Sequence, residues 1–192
     1  MDAAMILHAA SRSRRLGLPG LSSNDRAASA FARRLDDDYH WFRSLGPGGI
    51  EPIDAIVVGP GGTFAITMSG ERGRFTRRNE HWYRWNRSTD SWVPWHAASI
   101  TAARLAGRRL SLYLERAGLA AAVDPILMPA DEMEMVVRPG EPAGLIVERS
   151  ADRVADHVSA KSRLSRGQVD RIVALLDPRQ PLPRLAQATP NG

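Results

Sequence analysis

The segment from Ile53 to Ser69 constrains this chain more than any other part of it. It reads Ile53-Asp54-Ala55-Ile56-Val57-Val58, then Gly59-Pro60-Gly61-Gly62, then Thr63-Phe64-Ala65-Ile66-Thr67-Met68-Ser69. β-Branched and aromatic residues fill both arms and favour strands, while the Gly-Pro-Gly-Gly stretch favours a tight reversal between them. A strand with one face in water alternates apolar and polar residues. Here Ile53–Val58 and Thr63–Met68 are nearly continuous in apolar residues, so both faces need cover. The expectation is an α/β fold, with an antiparallel β-hairpin in the middle of a mixed sheet and helices on both sides.

Helical periodicity occurs where that cover is needed. Ala27, Ala28, Phe31 and Leu35 recur at steps of three and four, which predicts a helix from Ser22 or Ser23 to Leu35, capped by Ser23 or Asn24. Over Ala98–Ala117, the residues Ile100, Ala103, Gly107, Leu110, Leu114 and Ala117 form one stripe. Gly107 within it allows close approach to a sheet. Ser150–Lys161 and Ser165–Leu176 are predicted helices. Ser165 with Gln168 makes a capping box, and Pro178 follows the second helix. Strands are predicted at Tyr39–Phe42, at Phe75, through Trp82, Tyr83 and Trp85, and at Val123–Met128 and Gly144–Val147, with turns at Gly46–Gly49, Asn79-Glu80 and Asn86–Asp90. Residues 1–21, polar, basic and broken by Gly17, Pro19 and Gly20, read as a disordered arm, and residues 178–192 as a disordered tail. One domain, residues 22–177, remains.

Composition then removes several function classes. There is no cysteine, which excludes disulfides, thiolate zinc sites and cysteine catalysis, and fits a reducing, cytoplasmic location. No run approaches the roughly 18 apolar residues of a membrane span. The apolar stretch within Met1–Ala10 has no basic residue before it and is interrupted by His8, unlike a signal peptide. The formal charge is +5 and the pI about 10.6, a balance that favours polyanions such as DNA or RNA. Lys161 is the only lysine among 26 basic residues, so an arginine-rich composition explains the excess at least as readily as phosphate contact does. The chain contains no Walker loop, dinucleotide fingerprint, nucleophile elbow or metal-type histidine spacing.

The hairpin also carries a resemblance. Ile53-Asp54 leading a hydrophobic run to Gly59-Pro60, then Gly62-Thr63-Phe64-Ala65-Ile66, is similar to the hairpin of the nuclease-related domain (NERD) family, a branch of the PD-(D/E)xK restriction-endonuclease-like superfamily. The order of the other elements agrees from Ser22 to Leu176: a leading helix, the hairpin, a Trp-bearing strand, Pro94 before a long helix, a strand, and a closing helix with Leu164, Ser165 and Val169. The resemblance implies a restriction-endonuclease-like core. It also implies a divalent-metal site, Mg2+ or Mn2+, in which an Asp and a Glu from adjacent strands hold the cation and a Lys activates water.

Of that triad the chain keeps Asp54. The family's Glu falls on Thr67 and its Lys on Ser69; a helix glutamate falls near Ala28 or Ser29, with Asp25 the nearest acid, and a glutamine near Ala97. The implied activity is therefore that of a degenerate nuclease-like module that binds nucleic acid or protein. The alternative is a nuclease with a rearranged site centred on Asp54, in which Glu71 serves only if the strand runs on through Gly70. Arg72, Arg74, Arg77, Arg78 and Arg84 interleave with Phe75, His81, Trp82, Tyr83 and Trp85, a basic and aromatic mixture suited to nucleic acid. Leu105 and Leu112 fall opposite the main stripe of the long helix, beside Arg108 and Arg109, as a candidate partner or self-association surface.

Overall fold

The Ile53–Ser69 hairpin lies at the centre of the larger of two sheets. The computed structural model describes residues 7–8, 23–78, 81–130, 133–136 and 145–177. In chain order the elements are β1 (Leu7–His8), α1 (Ser23–Arg34), β2 (His40–Leu45), β3 (Ile53–Gly59), β4 (Gly62–Ser69), β5 (Gly73–Arg78), β6 (His81–Asn86), β7 (Ser91–Pro94), α2 (Ala98–Arg116), β8 (Val123–Pro129), β9 (Met133–Val136), β10 (Ile146–Val147), α3 (Ala151–Ser159) and α4 (Arg166–Leu176). A 3-10 helix, Pro47–Gly49, joins β2 to β3. The large sheet has the order β1-β2-β3-β4-β8-β10 and the small one β7-β6-β5-β9. Both are mixed. The β2–β3 and β3–β4 pairs are antiparallel and β4–β8 is parallel, while β6 pairs antiparallel and β9 parallel with β5.

The apolar runs of β3 and β4 are covered on both faces, as their composition requires. Ala55, Val57, Phe64 and Ile66 pack into one cluster with Ala27, Ala28, Phe31 and Leu35 of α1 and Val154, Ala155 and Val158 of α3. Ile56, Val58 and Ala65 pack into another with Leu110 and Leu114 of α2 and Val169, Ile172 and Leu176 of α4. Each large side chain fully buried in this way contributes about 1.5–3 kcal/mol. The alanines at the centre are fully buried too, and their size lets the helices lie close. Gly107 does the same for α2: a Cβ there would meet the Pro125 ring of β8 at 3.1 Å.

The turn is anchored from outside the sheet. Gly59 pairs with Gly62, leaving Pro60 and Gly61 as the loop. The Tyr39 hydroxyl accepts the Gly61 N–H at 3.2 Å, and burial raises the Tyr39 pKa above 10.0 despite that bond. The Pro60 carbonyl accepts the N–H groups of Arg163 at 2.7 Å and Leu164 at 3.0 Å, between α3 and α4. A Cβ at Gly61 would overlap the Val158 carbonyl, so the close approach of α3 requires glycine there.

Several boundaries differ from expectation. The strand predicted at Tyr39–Phe42 runs from His40 to Leu45, because Tyr39 turns aside to hold the hairpin loop. The helices predicted at Ser150–Lys161 and Ser165–Leu176 begin one residue later, with Ser150 and Ser165 as N-caps, and the Ser165–Gln168 capping box is formed. The second sheet was not anticipated as a separate layer. The arm at 1–21, the tail at 178–192, the Asn79-Glu80 turn and the side chains of Ser23, Asn24 and Asp25 lie outside the described residues, apart from Leu7–His8, which pairs in parallel with β2.

Candidate functional site

Pairing of Ala55 with Ile66 sets the hairpin register, which places Asp54 opposite Thr67. Opposed residues in an antiparallel pair share a face, and residues two apart on a strand do as well. Asp54, Thr67 and Ser69 therefore all face α2. Asp54 is half-buried and its Oδ2 accepts the Met68 N–H at 2.7 Å. One oxygen of the Asp54 carboxylate is thus bound to the backbone of the partner strand.

At the end of β4 the chain leaves the sheet, and the strand does not continue through Gly70. Glu71 nevertheless returns to Ser69. The Glu71 N–H donates to Ser69 Oγ at 3.3 Å, Ser69 Oγ and Ser99 Oγ lie 2.7 Å apart, and Ser99 Oγ donates to the Glu71 carboxylate. Each hydroxyl has one proton, so with Ser99 donating to Glu71, Ser69 donates to Ser99. The bonds form a closed ring that begins and ends on Glu71. Both serines are nearly buried, at 7% and 8% exposure, so the ring satisfies their hydroxyls without water. Ser99, in the first turn of α2, has no signature in the sequence; only the tertiary contact reveals it.

A divalent cation needs several oxygen donors converging on one point. Here Thr67 and Ser69 offer neutral hydroxyls, Ser69 is in the ring, and the Glu71 carboxylate accepts from Ser99. Among the described residues no three or more His, Asp or Glu side chains form a metal-holding group. The donor set does not fit Mg2+ or Mn2+ as the resemblance would have it.

The arginines expected to act together are divided between the two faces of the small sheet. The pairings Phe75–Arg84 and Arg77–Trp82 put Arg77 and Arg84 on the inner face, with Phe75 and Trp82. Arg74 and Arg78 fall on the other face. Inside, Trp95 meets Phe75 at 4.3 Å and Trp82 at 6.0 Å, and this cluster packs on Ile100 and Ala103 of α2. Arg84 lies over the Phe75 ring at 5.9 Å and donates to the Arg72 carbonyl at 3.2 Å. Outside, Arg74 pairs with Glu134 of β9 at 2.9 Å, and Arg78 lies over Trp92 at 5.6 Å.

Two open cavities flank this sheet. One, of about 820 Å³, is lined by Arg72, Arg74, Arg84, Trp85, Arg87 and Glu134 among others. The second, of about 390 Å³ at the start of α2, brings together Arg77, His81, His96 and Arg104 with Trp82 and Trp95. On α2 itself, Leu105 and Leu112 are 45% and 37% exposed. Arg109, expected beside them as part of a partner surface, is paired instead with Glu51 at 2.5 Å.

Comparison with protein-family models, curated proteins and solved structures finds no match for this chain. No described helix is long and apolar enough to cross a membrane.

Proposed function

We propose that this chain is a catalytically degenerate, restriction-endonuclease-like domain of NERD type that binds nucleic acid. The reading is carried by one observation: Asp54 sits opposite Thr67 on a central hairpin, where the resemblance would have an acidic pair, and its carboxylate bonds the Met68 N–H. Further support comes from the order helix, three antiparallel strands, helix, parallel strand in α1, β2, β3, β4, α2 and β8, with β5, β6 and β7 of the small sheet inserted between β4 and α2. Removing a single catalytic group costs on the order of 10²–10⁴ in rate, and here both the Glu and the Lys are replaced.

The test has two arms. Supercoiled DNA and single-stranded RNA, incubated with the protein and Mg2+ or Mn2+, are expected to stay intact. Metal-dependent cleavage that disappears in Asp54→Ala would establish the alternative, a nuclease with a site rearranged around Asp54 and Glu71. Binding to DNA or RNA is expected at low salt and should weaken steeply as salt rises. With about four arginines on phosphates, log Kd should change by roughly three per decade of salt. Absence of binding at low salt would refute the nucleic-acid half and turn attention to Leu105, Leu112 and Arg108 as a protein-binding surface.

A further inference from the structure

The small sheet has one face in the core and one outside it. Trp82, Trp95 and Met135 belong to the buried cluster on α2. Strand alternation puts Tyr83, Trp85 and Trp92 on the opposite face, and among the described residues none of these joins a core cluster. Trp85 and Trp92 are cross-strand partners with ring centroids 5.2 Å apart and planes at 68°. An edge-to-face pair leaves a ring face uncovered by its partner. Arg78 spans from β5 to the Trp92 ring on β7, so a flat, cationic group already occupies a stacking position. Arg74 stands on the same face, and Arg72 and Arg87 line the adjoining cavity with Trp85.

We propose that this outer face binds single-stranded nucleic acid, with bases stacked on Trp85 and Trp92 and phosphates held by Arg74, Arg78 and Arg87. The proposal rests on the nucleic-acid reading above and narrows it to one surface and one strand state. Charge favours this occupant: apart from the inner-face Arg84, the adjoining cavity is lined by Arg72, Arg74 and Arg87 against one carboxylate, Glu134, which pairs with Arg74. The aromatics decide the strand state. A duplex keeps its base faces inside its own stack and offers mainly phosphates and groove edges, so the half-buried Trp85 and Trp92 add little to its binding. A single strand presents base faces, and base–aromatic stacking outweighs an exposed cation–π contact. A base can therefore displace the Arg78 guanidinium from Trp92 and release it to a phosphate.

The test measures fluorescence anisotropy of a labelled decathymidylate and of a mixed-sequence duplex of equal length, at low salt, on the whole chain. The single strand is expected to bind more tightly and to quench tryptophan emission. Trp92→Leu should weaken it about tenfold, Trp92→Phe should recover most of the loss, and duplex affinity should not change. Circular dichroism confirms that the variants fold. If Trp92→Leu does not fold, the wild-type quenching decides: a bound single strand that leaves the emission unchanged overturns the proposal. Equal single-strand and duplex affinity, both indifferent to Trp85→Leu and Trp92→Leu, overturns the stacking face while leaving nucleic-acid binding in place. Failure of either polymer to bind overturns both.

Discussion

Replacement of Asp54 separates a structural role from a metal-binding one. Its carboxylate accepts the Met68 N–H at 2.7 Å, in a half-buried setting between the two central strands. A net hydrogen bond to a charged group is worth about 1.5–3 kcal/mol. Asp54→Ala removes the acceptor and leaves the Met68 N–H to find water, so a loss of roughly 2 kcal/mol is expected. For a domain of this size each kcal/mol moves Tm by about 2–4 °C, which places the variant roughly 4–8 °C below the wild type. Asp54→Asn keeps a neutral acceptor oxygen and should lose about half as much. The assay is thermal unfolding followed by circular dichroism, with and without Mg2+ or Mn2+. A cation at a hundredfold excess over its Kd would stabilise the wild type by about 2.7 kcal/mol, roughly 5–10 °C; no such rise is expected. A metal-induced rise of that size that vanishes in Asp54→Ala, with the metal-free Tm of the variant unchanged, would refute the reasoning.

Gly61→Ala places a Cβ on the Val158 carbonyl and should cost about 1–3 kcal/mol, read as a lower urea midpoint at unchanged m-value. Tyr39 gives a pH dependence. Its folded pKa is raised above 10.0, chiefly by burial, so the neutral form favours the folded state. That stability is complete below pH 10.0 and is lost as pH rises through the folded pKa. Tyr39→Phe should be less stable near neutrality by about 1 kcal/mol, through the lost Gly61 bond, and should decline less in alkali; parallel alkaline declines in Tm for both proteins would exclude Tyr39 as the source.

The parts of the fold that the sequence discloses are those in which local pattern and burial make the same demand. Unbroken apolar strands require two covers, and α1, α2, α3 and α4 each carry an apolar stripe of helical period to supply them. The register of Asp54 with Thr67 was readable because a tight turn fixes which positions oppose. β7 and β9, of four residues each, are too short for alternation to show. Their sheet depends on β5 pairing with β9 across a long sequence separation, a contact no local window contains. The division of the arginines between two faces was not legible for a different reason: proximity along a strand does not mean a shared face. Arg77 and Arg78 are adjacent in sequence and point to opposite sides.

The junction between the sheets accounts for the part of the site that sequence could not show. β4 and β8 run parallel to their ends, where the Ala130 N–H donates to the Ser69 carbonyl at 2.8 Å. Both chains then cross into the small sheet, where β5 and β9 are again parallel neighbours. Ser69 is therefore the last residue of β4 and Glu71 belongs to the crossing. An argument from strand alternation fails for Glu71, because the strand has ended. Its N–H donates to Ser69 Oγ, and its carboxylate reaches Ser99 at the start of α2. The position where the resemblance would have a lysine thus lies inside a hydrogen-bonded ring that ties the sheet junction to α2. A charged side chain at Ser69 would have to break that ring and place its charge in a 7%-exposed site. Introducing a lysine there by Ser69→Lys should therefore destabilise the domain before it supplies any chemistry.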